Sequence, residues 1–171
     1  MNRDGFFTIR GVKDGVHEID LLGVRQTTSR VEAWHIESQV SFNPVSYITP
    51  LTKELSQSLK KARTTAWKRP PEVVAQCVDA WLEKKFDSPS KARVREKLWP
   101  GLNWQKILVH GAVKNADELD LIGKRVRLIP FYEVLRDLCW QKHNMYVAGG
   151  NDIAEIIEYY HDSAPAIEVV K

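Results

Sequence analysis

The chain has 171 residues, 43% of them hydrophobic, enough to bury one sizeable core, and a single domain over 1–171 is the expectation. With 25 Lys and Arg against 22 Asp and Glu the formal charge is +3, too small to name an acidic partner by itself. Cys77 and Cys139 form no CxxC pair, which argues against a zinc ribbon or a disulfide framework; no apolar run nears the ~18 residues of a membrane span, and the polar start MNRDG lacks a signal-peptide core. The composition therefore reads as a cytoplasmic protein with free thiols and no membrane partner.

GFFTIRGV (5–12) is β-branched and aromatic, is bounded by glycines and precedes the turn signal KDG (13–15), so it reads as a first strand. HEIDLLGV (17–24) is its expected hairpin partner, and VEAWHIESQV (31–40) follows the polar loop RQTTSR as a third strand, making a three-stranded meander over 5–40. Helical periodicity then takes over in a segment from 51 to 98. Leu51, Leu55, Leu59, Ala62 and Ala66 form one stripe, predicting a helix that ends before Pro70. Pro71 suits the first position of a second helix, whose Val74, Cys77, Val78, Trp81 and Leu82 follow the apolar spacing of a buried face. A third, basic helix is predicted from Pro89 to Leu98. WPGLNW (99–104) breaks the pattern, and a closing unit over 104–141 follows: strand WQKILVHGAV (104–113), a short helix in NADELDLIG (115–123), strand RVRLIPF (125–131) and helix YEVLRDLCW (132–140). A C-terminal helix is predicted over 151–161, with Asn151 as N-cap after Gly149 and Gly150. This order predicts an α/β fold, a mixed central sheet flanked by helices.

Side chains alternate along a strand, so Glu18, Asp20 and Leu22 share one face of the second strand, while His35, Glu37 and Gln39 share one face of the third. If the two strands pair, Asp20 and Glu37 can stand about 5 Å apart at Cβ. Two carboxylates that close repel, and a divalent cation would let both stay ionised. Their oxygens are the hard donors that Mg²⁺ or Mn²⁺ prefers. The plainer alternative is a half-solvated hairpin with ordinary surface charges.

Asp20 in EIDLLG, followed by Glu37-Ser38-Gln39 in HIESQVS, resembles the Asp…Glu-x-Lys signature of the PD-(D/E)XK nuclease superfamily, the restriction-endonuclease-like fold. The meander, the following helices and the closing strand and helix match that family's core. The resemblance implies a Mg²⁺-dependent (or Mn²⁺-dependent) DNA endonuclease that hydrolyses phosphodiesters, with Asp20 and Glu37 as metal ligands and Glu18 assisting through a second metal or a water. Gln39 stands where the family usually has lysine, and would orient the attacking water without supplying charge. The proline of the family's name is absent before Asp20, and no helix precedes the first strand. The rival expectation is a catalytically inactive DNA-binding module that keeps the fold; a third is an assembly subunit docking through its acidic C-terminal helix.

Between 53 and 69 six cations face Glu54 alone, and Lys60, Lys61, Arg63, Lys68 and Arg69 are the candidate nucleic-acid contacts, with Trp67 able to stack on an unpaired base. Lys91, Arg93, Arg95 and Lys97 form a second basic run, and both runs alternatively read as solvated helix faces. His35 shares the Glu37 face and reads as a structural histidine; His17 and His110 have no ligand-like spacing. Trp99, Trp104 and Trp140 read as core and lid residues. Cleavage of both strands of a duplex would need two active sites, which a homodimer would supply.

Overall fold

A computed structural model describes residues 4–41, 43–64 and 66–140, without the side chains of 138–140. β1 (Phe7–Asp14) and β2 (His17–Gln26) are antiparallel, with Asp14 opposite His17 across a two-residue turn. Gly15 takes φ +61° there, a left-handed conformation that tight hairpins need and that glycine adopts without steric cost. β3 (Val31–Gln39) pairs antiparallel with β2, after a loop closed by Thr27 N–H donating to Arg30 O at 2.9 Å. β4 (Trp104–His110) lies parallel to β3, and β5 (Arg127–Pro130) parallel to β4, so the sheet runs β1-β2-β3-β4-β5. The fold is mixed α/β, a five-stranded mixed sheet flanked by helices, as the pattern of elements predicts. Gly111 lets the chain leave β4 closely: a Cβ there would stand 2.7 Å from Ser41 O.

The helices between β3 and β4 depart from the sequence reading at one place. α1 spans only Lys53–Ser58, capped by Thr52, whose hydroxyl accepts from Leu55 N–H, and does not run on toward Pro70. Tertiary hydrogen bonds override the apolar stripe: Leu51 N–H donates to Arg63 O at 2.9 Å, and Arg63 Nε–H donates to Leu51 O at 2.8 Å. That pairing folds the 59–63 segment back along Leu51, and Lys60 turns the corner with φ +50°. α2 (Pro71–Leu82) starts at its proline as expected and buries Val73, Val74, Cys77, Val78, Trp81 and Leu82. A π-helical turn, Glu83–Asp87, continues it; α3 (Pro89–Leu98) follows after Ser88. α4 (Ala116–Gly123) is capped by the Asn115 side chain, which accepts from Glu118 N–H at 2.7 Å.

The main core joins Val74, Val78, Trp81, Leu82 and Phe86 to Leu108 of β4 and Ile122 of α4. Leu51, Val73 and Cys77 form a second cluster, so Cys77 is a buried free thiol as expected. Glu118, fully buried, was not singled out by the sequence. Its carboxylate accepts from Ile48 N–H, Thr49 N–H and the Thr49 hydroxyl at 2.7, 2.9 and 2.5 Å, fixing the proline-rich connection after β3 against α4.

The chain divides into two compact units, residues 1–131 and 132–171. Of the second, only the part of α5 (Phe131–Trp140) beyond Phe131 is described. The thiol of Cys139, the helix predicted over 151–161 and the acidic tail lie outside the described residues. No described helix is long and apolar enough to cross a membrane.

Phe86 is fully buried, its ring centroid 5.0 Å from that of His35 and 6.4 Å from that of Trp81. Phe86→Ala should lower the unfolding free energy by about 3–5 kcal/mol, through lost transfer energy and an unfilled cavity. Urea denaturation would show this as a lower midpoint at an unchanged slope.

Candidate active site

Directly opposed residues of an antiparallel pair share a face, and Leu22 stands opposite His35. By alternation Asp20 and Leu22 lie on the same side of the sheet as His35, Glu37 and Gln39. The recorded pairing ends at Leu21 with Ile36, and one further step in that register puts Asp20 opposite Glu37. Beyond the end of the ladder, Ser38 N–H donates to Asp20 Oδ2 at 2.8 Å, so the Asp20 side chain takes a donor of β3 that β2 leaves open. Asp20 is half-buried and Gln39 is exposed. Glu18, also exposed, faces Lys13 at 3.5 Å across β1 and β2.

Glu37 is the most constrained group of the set. It is fully buried, and its two oxygens meet three partners: Lys91 Nζ at 2.5 Å and His35 Nε2 at 3.0 Å on Oε1, and Lys85 Nζ at 3.1 Å on Oε2. The π turn carries Lys85 and α3 carries Lys91, so the helical layer delivers both ammonium groups to the strand carboxylate. Burial pushes the Glu37 carboxyl up, but the hydrogen bonds of His35 and Lys91 and the charges of Lys85 and Lys91 outweigh it and hold the group below the usual carboxylate range.

His35 is a relay between Glu37 and a third cation, Arg95. Arg95 Nη1 lies 2.8 Å from His35 Nδ1 and also donates to Phe86 O at 2.7 Å. Arginine can only donate, so Nδ1 accepts and the ring proton sits on Nε2, pointing at Glu37. The ring is thus a neutral imidazole. Burial lowers its pKa first, and the charges of Arg95 and Lys91 add to this against the opposing pull of Glu37.

The second basic run is consequently no free cationic face. Lys91 and Arg95 serve the Glu37 cluster and Arg93 pairs with Asp14 at 3.0 Å, leaving Lys97 without such a partner among the described residues. In the first run Lys60, Lys61, Arg63 and Lys68 are exposed, whereas Arg69 is withdrawn: it is buried, donates to Thr49 O at 2.7 Å and covers the Tyr47 ring at 4.0 Å. The structure places Arg69 as a support of the connection after β3, out of reach of a strand. Trp67 is half-buried with Lys61 Nζ 6.0 Å from its ring centroid.

Gln39, Lys85 and Arg63 line a cleft of about 480 Å³ that also takes in Lys53, Glu54 and Lys84. Four cations face one carboxylate there, so the cleft beside the buried cluster is electropositive. Asp20 and Glu37 face this side of the sheet, with Glu18 further along the same face of β2 and drawn to Lys13, and no group of three or more metal-ligating side chains occurs among the described residues. Mg²⁺ is commonly held by one or two carboxylates with water and phosphate oxygens completing the shell, so the donor set suits that ion in kind. Access to Glu37, however, would require an ammonium group to give way.

Lys85, Lys91 and Arg95 were missed as site residues because a run of cations on a helix reads as solvated. The signal present was spacing: Lys91 and Arg95 are four apart and share a helix face. No protein-family model matches the chain, and neither a curated protein nor a solved structure is detectably similar.

Acid should act on this cluster in two steps. Both folded pKa values are depressed, so the unfolded chain takes protons that the folded one resists, and stability is lost as pH falls. His35 should begin the loss below its ordinary value of 6.5 and Glu37 extend it below 4.5. Urea unfolding at successive pH values should show the first decline in the wild type and its absence in His35→Gln.

Proposed function

We propose that the chain is a Mg²⁺-dependent DNA endonuclease of repair, defence or restriction type, built on a restriction-endonuclease-like core. The observation that carries this reading is the placement of Asp20 and Glu37 in facing register on one side of β2 and β3, beside an electropositive cleft. Asp20 and Glu37 would hold Mg²⁺. When bound, the ion supplies charge stabilisation at a phosphoryl oxygen and lowers the pKa of a water ligand.

The protein's own groups divide the remaining work. Lys85 and Lys91 keep Glu37 ionised despite its burial, and stand beside it as the cations that Gln39 cannot provide. His35, fixed by Arg95, orients the Glu37 carboxylate. Gln39 at the exposed end of β3 can hydrogen-bond a water, while Lys53, Arg63 and Lys84 meet strand phosphates. Lys60, Lys61 and Lys68 extend that basic surface.

A second reading, a DNA-binding module without hydrolysis, is favoured by the same lysines, which neutralise Glu37 with no metal. Incubation with supercoiled DNA and Mg²⁺, Mn²⁺ or EDTA separates the two. Metal-dependent nicking, lost in Asp20→Asn and in Glu37→Gln variants that remain folded by circular dichroism, supports the nuclease. Salt-dependent binding without nicking under any condition supports the module. If the helical lysines replace the signature lysine, Lys85→Gln should slow nicking by about 10²-fold, while Gln39→Lys should leave the rate nearly unchanged.

A further inference from the structure

The side of the sheet away from Glu37 carries a second basic cleft, of about 730 Å³, formed where β2 ends and β3, β4 and β5 begin. Arg25, Arg30, Glu32, Trp34, Asn103 and Arg127 line it. Glu32 accepts from Arg25 at 2.6 Å and from Arg30 at 3.1 Å, so a single carboxylate serves two guanidinium groups. Arg127 has no carboxylate partner among the described residues, and three arginines against one glutamate leave the cleft positive.

Arg127 is also held in place. Its guanidinium lies 5.5 Å from the centroid of Trp34, whose indole stands 4.2 Å from the Phe6 ring. Stacking on an aromatic face fixes the plane of a guanidinium while leaving its N–H edge open, the geometry that suits a two-point contact with phosphate. The amides of Asn103 and of Gln105 add neutral donors at the same mouth. The volume is that of an organic ligand's site, larger than a bare anion needs.

We infer that this cleft is a phosphate-binding site for an organic phosphate, a nucleic-acid strand in the first instance, with Arg127 and Arg30 as its anchors. The inference does not depend on hydrolysis at Glu37. Its arginines lie at positions 25, 30 and 127, so no charge run announces them; the strand register brings them together.

The test is a titration of the full chain with inorganic phosphate, a nucleoside monophosphate and a fluorescent single-stranded oligonucleotide, in EDTA to suppress cleavage. Wild type is compared with Arg127→Glu, with the milder Arg127→Gln, with Arg30→Glu, and with Lys84→Glu in the other cleft. Both Arg127 and Arg30 are exposed, and thermal unfolding confirms that each variant is folded. The expected result is oligonucleotide affinity at least about tenfold weaker in Arg127→Glu and Arg30→Glu, with a salt slope shallower by about one phosphate contact. Tight binding of the monophosphate that is lost in the same variants, with no effect on the oligonucleotide, would assign the site to a free nucleotide. Unchanged affinity and salt slope for all three probes in Arg127→Glu and Arg30→Glu would overturn the inference. Loss in Lys84→Glu alone would do so too, while leaving the proposed function standing.

Discussion

A buried carboxylate is the constraint around which the first unit is arranged. Glu37 sits in the middle strand of the sheet, fully enclosed, where an ionised group without partners would cost several kcal/mol in desolvation. The α2-π-α3 layer answers that cost: the wider π turn carries Lys85 to one oxygen and buries Phe86, and α3 brings Lys91 to the other and Arg95 to His35. Packing and charge are therefore not separable here. The same Phe86 that seals the core against Trp81 also walls the imidazole whose proton points at Glu37.

This arrangement gives the two faces of the sheet different electrostatic characters. On the helix-covered face positive charge is concentrated on a carboxylate and spills into a cleft with Lys53, Arg63 and Lys84. On the other it is carried by arginines, two tied to Glu32 and one laid on Trp34. A phosphodiester strand would meet mainly lysines, with Arg63 among them, in one place and planar forks alone in the other, point charges against directional donors. The proposed chemistry belongs to the first of these surfaces alone.

The sequence made the strands and their faces legible because alternation is a local property: Asp20, His35 and Glu37 can be assigned to a side by counting. It also located α2 and α3, whose prolines mark their starts, and a short helix at α4, whose Asn115 cap the structure adds. It failed where distant backbone decided the outcome. α1 stops at Ser58 because Arg63 pairs with Leu51, and nothing in the leucine spacing shows that. Arg69 read as a surface cation because its acceptors, Thr49 O and the Tyr47 ring, are twenty or more residues earlier. Lys85 and Lys91 were invisible as partners of Glu37 for the same reason, and Glu118 because its hydrogen-bonding partners lie about seventy positions before it.

Those separations bear on how the protein is born. Lys85 follows Glu37 by 48 residues and Lys91 by 54. A ribosome adding about 5–20 residues each second delivers the counter-charges some seconds after the carboxylate. In that interval the meander can form hydrogen bonds but lacks the two lysines that enclose Glu37, and β4, the parallel neighbour of β3, is later still. A nascent chain of this protein accordingly carries an open, hydrated β3 edge until β4 has emerged, and its sheet is completed in chain order, from β1 toward β5.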